Sequence, residues 1–226
     1  MRSKNIKSQI LRGILLLTSS LLFFYSISVI SLAKALTLAF ICPLIVTALS
    51  PYFLNERVGQ RRWTAVIIGF IGVLLVIRPG IVEFNWASLA SLGTGLCYAI
   101  YLIVTRSLKD TDNGLLTLLF TSIVGTVVLS VYLPFVWVNP SLKQLLLAVN
   151  MGFIAALAHG LIIISYNYSD ASKLAPLGYF EIIPNIIIGY VWFSDFPDKY
   201  TIFGLLVIIL SGIYVFRREQ LKKEYI

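Results

Sequence analysis

The amino-acid sequence predicts an all-α polytopic membrane protein with eight transmembrane helices, and three observations carry that prediction. Of 226 residues, 58% are hydrophobic and only 12% charged, about half the charged share of a soluble globular chain. The mean hydropathy is +0.90, and apolar runs of about 20 residues, long enough to cross a bilayer as helices, recur along the whole chain. The runs are continuously apolar rather than alternating, which selects helices over barrel strands. A soluble enzyme, a secreted disulfide scaffold and a disordered regulator are excluded together. Cys42 and Cys97, the two cysteines, both lie inside apolar runs and make neither a disulfide framework nor a metal site.

The expected spans run over residues 10–30, 35–53, 63–77, 86–105, 115–135, 142–166, 173–193 and 200–216. Arg2, Lys4 and Lys7 precede the first. The second carries Pro43. The third is short, but Arg61, Arg62 and Arg78 flank it and can snorkel to the interface. Trp63, Trp86, Trp137 and Trp192 all fall at span ends, where an amphipathic ring is favoured. Of the 18 basic residues, 14 fall in one set of alternate segments and 4, Lys34, Arg78, Lys143 and Lys199, in the other. That bias places both termini in the cytoplasm and the chain in the inner (plasma) membrane as a multi-pass protein. The net charge of +8 is therefore loop charge, with no nucleic-acid partner implied.

A spacing organises the spans further. Lys34, Glu56 and Arg78 are 22 residues apart, as are Lys173, Asp195 and Arg217, with a constant offset of 139. Between the members of each triplet lie two spans, the second punctuated by glycine: Gly69 and Gly72, then Gly204 and Gly212. The offset passes an odd number of spans, so the two copies lie in the membrane with opposite orientation, the inverted repeat of secondary transporters. Residues 81–226 make a complete five-helix repeat. Residues 1–80 hold three helices, a first repeat lacking its first two. Either an eight-helix variant or a fragment of a ten-helix parent is expected.

Leu11-Arg12-Gly13-Ile14-Leu15-Leu16-Leu17 followed by Leu22-Phe23-Phe24-Tyr25 resembles the third helix of EamA-type members of the drug/metabolite transporter superfamily. Asn55-Glu56-Arg57-Val58-Gly59, then Arg62-Trp63 and Gly69-Phe70-Ile71-Gly72 through Arg78-Pro79-Gly80, resembles the family as well. Asp195-Phe196-Pro197 departs from the glutamate-containing turn usual there. The resemblance covers nearly the whole chain. It implies two inverted five-helix repeats around a central substrate path and says little of the substrate.

Two ionisable groups lie deep inside expected spans. His159, the single histidine, and Glu181 each stand 11 residues from Asp170 in the intervening turn. At about 1.5 Å of rise per residue both reach a similar depth, about 12–15 Å from that turn. Intramembrane ionisable groups usually face a cavity or a partner. The pair reads as a binding or proton-linked site, or else as a structural interhelical hydrogen bond. No other buried charge is expected. Leu177, Glu181, Pro184, Asn185 and Ile188 share a helix face, with Pro184 kinking the helix beside the carboxyl; Pro43 occupies the comparable place in the first repeat. A second stripe, Ser88, Ser91, Thr94, Gly95, Tyr98, Tyr101 and Thr105, reads as helix contact in its small half. Tyr98 and Tyr101 read as a cavity wall able to stack on a flat ligand. Tyr25 and Phe40 join them as weaker candidates.

No metal-ligand pairing, nucleophile elbow or phosphate-binding glycine loop occurs, so no catalytic residues, cofactor or metal are expected. The function read from these features is secondary active transport of a small polar or amphipathic metabolite: an amino acid derivative, a nucleoside-like cofactor or a flavin. Alternating access is expected, coupled to protons or to exchange. The partners are then a small-molecule substrate and the lipid bilayer, and a homodimer is compatible. The competing class is a non-transporting membrane subunit or an inactive truncated copy.

Overall fold

The computed structural model describes residues 3–56, 58–78, 85–194 and 196–223. In chain order the helices are α1 (Ile6–Val29), α2 (Leu32–Ala39), α3 (Cys42–Leu54), α4 (Gln60–Ile77), α5 (Trp86–Ser107), α6 (Gly114–Val136), α7 (Leu142–Tyr168), α8 (Ala171–Leu174), a 3-10 segment (Ala175–Glu181), α9 (Ile182–Phe193) and α10 (Lys199–Lys223). Helix covers all eight expected spans, and the described residues contain no strand. Five stretches, α1, α2 with α3, α5, α6 and α7, are long and apolar enough to cross a membrane, and α4 and α10 hold shorter apolar stretches. Asn85, Asn113 and Ser141 cap α5, α6 and α7 by accepting hydrogen bonds from first-turn amides, which satisfies donors that the helix itself leaves open.

Two spans expected as single helices are broken. The second divides at Phe40 and Ile41 into α2 and α3. Pro43 lacks the amide that would bond the Ala39 carbonyl, so the ladder cannot run through. The seventh passes from α8 through the 3-10 segment to α9, with Pro184 in the first turn of α9. The kink expected at Pro184 is thus a change of helix type that begins nine residues earlier, at Ala175. Both discontinuous spans end alike: Asn55 closes α3 and Ser194 closes α9 in left-handed conformations, φ 55° and 53°. These two positions are also 139 residues apart. Asp195, Arg57 and the Pro79-Gly80 turn lie outside the described residues.

The core forms where α2, α3, α4 and α10 meet around Leu38, Leu44, Val73, Val76, Leu205 and Ile208. Backbones touch there because side chains are absent. A Cβ on Gly72 would stand 2.8 Å from the Gly204 carbonyl oxygen, and one on Gly204 would stand 2.6 Å from that of Gly72. Small residues allow this approach, and in lipid such packing is the main force between helices. On the other side α5 lies against α1. The Ser19 hydroxyl donates to the Thr94 carbonyl at 3.1 Å, the Thr94 hydroxyl donates back to the Ser19 carbonyl at 3.3 Å, and Ser26 donates to Ala87 at 2.7 Å. The Ser91 hydroxyl donates to the Ala35 carbonyl of α2. The small half of the fourth-span stripe therefore serves mainly helix contacts. α6 and α7 present mostly exposed apolar side chains, such as Val131 and Phe153, a surface suited to lipid.

Candidate functional site

The break in the second span makes room for a cavity. Gly95 of α5 sits against it: a Cβ there would fall 2.6 Å from the Ala39 carbonyl oxygen left without a helical donor. Between this break and the 3-10 segment lies a cavity of about 380 Å3, lined by residues of α1, α2, α3, α5, α7 and the 3-10 segment. Phe23, Phe24, Phe40 and Tyr98 form its aromatic walls, and His159 and Glu181 bring the ionisable groups. Each comes from a different constraint. The i, i+4 spacing sets Thr94 and Tyr98 on one α5 face. The proline-induced break turns Phe40 inward, and the tighter 3-10 winding carries Glu181 to the junction with α9.

Four of the seven expected site residues, Glu181, His159, Tyr98 and Phe40, border this single cavity. Three do not. Tyr25 is 50% exposed on the outer face of α1, one helical step beyond Phe24. Asn185 stands behind Glu181 and donates from Nδ2 to its Oε1 at 3.4 Å. Tyr101 is fully buried; it stacks on Tyr98 with ring centres 5.5 Å apart and turns its hydroxyl to His159 Nδ1 at 3.1 Å. One turn after Tyr98, it supports the wall instead of forming it.

The sequence reading missed the partner of that hydroxyl. Arg12 is fully buried in α1, which corrects the expectation that no charge besides His159 and Glu181 is buried. Its Nη2 donates to the Tyr101 hydroxyl at 2.9 Å, Nε to Thr105 Oγ1 at 2.7 Å, and Nη1 to the Thr117 carbonyl at 2.6 Å and to Thr121 Oγ1. The guanidinium also lies 4.7 Å from the Tyr101 ring centre, within cation–π range. One turn earlier, buried Gln9 donates to Asp112 Oδ2 at 2.9 Å and to Thr117 Oγ1 at 3.0 Å. Burial opposes the charge of Asp112, yet hydrogen bonds from Ser3, Gln9 and the Lys4 amide hold its carboxyl below the usual range. The signal available in the sequence was Thr117 and Thr121, polar at i, i+4 in an otherwise apolar span.

Below the cavity, at the end where α5 finishes, a polar tie joins the two halves of the chain. Glu56, just after α3, accepts from the amides of Ala171 and Ser172 at 2.9 and 3.1 Å and from the Ser172 hydroxyl at 2.5 Å. Arg106 approaches Glu56 at 3.8 Å and Asp170 at 3.1 Å and donates to the Tyr166 carbonyl. The hydrogen bond from Lys173, then the charges of Lys173 and Arg106, hold the Asp170 carboxyl below the usual range against the opposing effect of burial. At the other end of the bundle Arg78, after α4, pairs with Asp198, before α10, and lies over the Tyr200 ring at 4.2 Å. Burial opposes the charge of Asp198, but hydrogen bonds from Arg78 and Thr201 lower its pKa to about 2. Among the described residues, no group of three or more His, Cys, Asp or Glu side chains could hold a metal ion.

A bundle of apolar helices with two interrupted spans around a ligand-sized cavity is the architecture of multi-pass membrane transporters. The chain belongs to the EamA-like transporter family, whose model matches residues 2–78 and 85–217. An S-adenosylmethionine uptake transporter of Rickettsia bellii is 28% identical over 211 residues, 93% of this chain and 72% of that protein. A riboflavin transporter of Vibrio cholerae is 28% identical over 193 residues, 84% of this chain and 64% of its own length. A pseudopaline exporter of Pseudomonas aeruginosa is 24% identical over 220 residues, covering 93% of this chain and 75% of the exporter. A solved crystal structure shares the fold at a TM-score of 0.64 and 19% identity, over 90% of this chain and 74% of that one.

Proposed function

We propose that this chain is a secondary active transporter of a small amphoteric metabolite that carries a flat ring, working by alternating access. The observation that carries the reading is the shared cavity: a carboxylate, Glu181, and an imidazole, His159, between aromatic walls at the break of two discontinuous helices. Its volume of about 380 Å3 lies in the range of small-molecule pockets. S-adenosylmethionine is the first substrate to test. Its sulfonium and ammonium suit the Glu181 carboxylate, and its adenine suits stacking on Tyr98 or Phe40. The uptake transporter of Rickettsia bellii supports the choice. Proton coupling is proposed through Glu181, because intramembrane carboxyls mark ion and proton pathways, with exchange as the alternative.

The rest of the arrangement accords with this reading. Basic residues concentrated in one set of segments favour an inner-membrane protein with cytoplasmic termini. Residues 1–80 and 81–226 are proposed as a three-helix and a five-helix repeat of opposite orientation, supported by the matched left-handed ends at Asn55 and Ser194. The test is uptake of labelled S-adenosylmethionine into proteoliposomes, with riboflavin as an uncharged-ring comparison. Glu181→Gln keeps the shape and removes the charge. It is expected to reduce S-adenosylmethionine uptake about tenfold or more, worth about 1.4 kcal/mol, and to leave competition by riboflavin little changed. Unaltered S-adenosylmethionine uptake would make Glu181 a packing residue and remove the centre of the site.

A further inference from the structure

Arg12 and Tyr101 reach the cavity through its lining residues Tyr98 and His159, and their hydrogen bonds have a direction. A guanidinium donates and never accepts, so Arg12 Nη2 gives its proton to the Tyr101 oxygen at 2.9 Å. The Tyr101 hydroxyl proton must then go elsewhere. Tyr101 is fully buried. Thr105 Oγ1 accepts from Arg12 Nε and donates to the Tyr101 carbonyl, each at 2.7 Å, which leaves it one lone pair beside the guanidinium. His159 Nδ1 lies 3.1 Å from the Tyr101 hydroxyl, and an unprotonated imidazole nitrogen is a stronger acceptor than a hydroxyl oxygen already drawn by a guanidinium. With Nδ1 accepting, the imidazole carries its proton on Nε2. That ring borders the cavity that Glu181 also lines.

We propose that Arg12 and Tyr101 are positioning residues that fix His159 as the Nε2–H tautomer, so that the cavity offers an N–H donor together with the Glu181 acceptor. Such a site selects a ligand with two complementary ends, a cation for Glu181 and a carboxylate for His159. The ring geometry supports the assignment. Tyr101 and His159 meet edge to face with centres 5.6 Å apart, and Tyr98 is stacked on Tyr101 at 5.5 Å, so the imidazole is held on its Tyr101 side by a packed pair. The guanidinium in turn is anchored on two helices by Thr105, Thr117 and Thr121. This inference rests on the cavity being the substrate site only where it concerns ligand choice; the tautomer stands on the hydrogen bonds alone.

The experiment exploits the single histidine of the chain. Full-length protein labelled with 15N-histidine and reconstituted in lipid gives one imidazole, whose nitrogen shifts report which nitrogen is protonated. In the wild type the proton is expected on Nε2. Tyr101→Phe keeps the stacking ring but removes the relay, and is expected to give a mixture of tautomers. An Nδ1–H wild type, or an unchanged tautomer in Tyr101→Phe, would overturn the relay. In the ligand arm, Tyr101→Phe is expected to weaken S-adenosylmethionine binding about tenfold and to leave decarboxylated S-adenosylmethionine unchanged. Equal losses for both ligands would overturn the specificity role. A wild type that binds neither ligand would overturn that role and the proposed substrate together, while the tautomer result would still decide the relay.

Discussion

Arg12 shows how a residue's meaning depends on neighbours far along the chain. Near the start of an apolar run an arginine counts as a boundary charge, and its burial follows only from where α5 and α6 place Thr105, Thr117, Thr121 and Tyr101, 89 to 109 residues away. His159 and Glu181 were legible because an ionisable group deep in an apolar run is costly and persists there chiefly by facing a cavity or a partner. Tyr101 was legible as part of a stripe but not as a second layer, since one helical turn separates wall from support. The guanidinium network makes a stability prediction. Lysine offers a compact ammonium in place of the planar fork, so Arg12→Lys leaves part of the network unpaired. It is expected to cost about 1–3 kcal/mol, read as a lowered midpoint of thermal unfolding in detergent. Lys7→Gln, exposed on the same helix, should leave the midpoint unchanged.

At the level of elements, the existence and order of the spans could be read from hydropathy, because length and continuity of apolar runs are local properties. The two interruptions could not. Pro43 and Pro184 were visible, yet a proline in a membrane helix is compatible with a kink or a full break, and the choice lies in what packs beside it. Gly95 facing the Ala39 carbonyl allows the break. Glycine at the α4–α10 crossing was read as punctuation of a repeat, and its physical work is backbone contact. Gly204→Val tests this contact, because its Cβ would fall 2.6 Å from the Gly72 carbonyl oxygen and 2.5 Å from Val76 Cγ2. The substitution is expected to separate α4 from α10 and abolish a monodisperse folded peak in size-exclusion chromatography. Gly152→Ala, with nothing within 4 Å, is the matched control and should elute as wild type.

Across the whole molecule, the ion pairs among the described residues sit at the ends of the bundle. Glu56 holds the start of α8 at one end, and Arg78 holds Asp198 at the other. Under the proposed alternating access the two ties would open in turn. Glu56→Gln keeps an acceptor for the Ala171 amide but loses the charge that draws Arg106 and both amides, interactions worth more when ionised. With Cys42 and Cys97 replaced by serine, it is expected to raise labelling of a cysteine placed at Phe40 by a membrane-impermeant thiol reagent added to inside-out vesicles, about tenfold over the same cysteine in the Glu56 background. Equal labelling would show that the tie is not a gate. The Arg78–Asp198 tie should not respond to mild acid. With its carboxyl lowered to about 2, its contribution is present above the ordinary aspartate range and lost only as pH falls towards 2.

The Arg12 guanidinium has a mechanical side as well. It is one planar group bonded at once to α5 and α6 while belonging to α1, and a plane gripped on several edges resists sliding and rotation alike. The three helices are therefore pinned into a single block at that depth. The breaks, by contrast, sit in the spans outside this block, and the cavity lies along the seam between them. A moving transporter built this way would behave as a clasp with one stiff jaw, its freedom concentrated in the segments that carry Phe40 and Glu181.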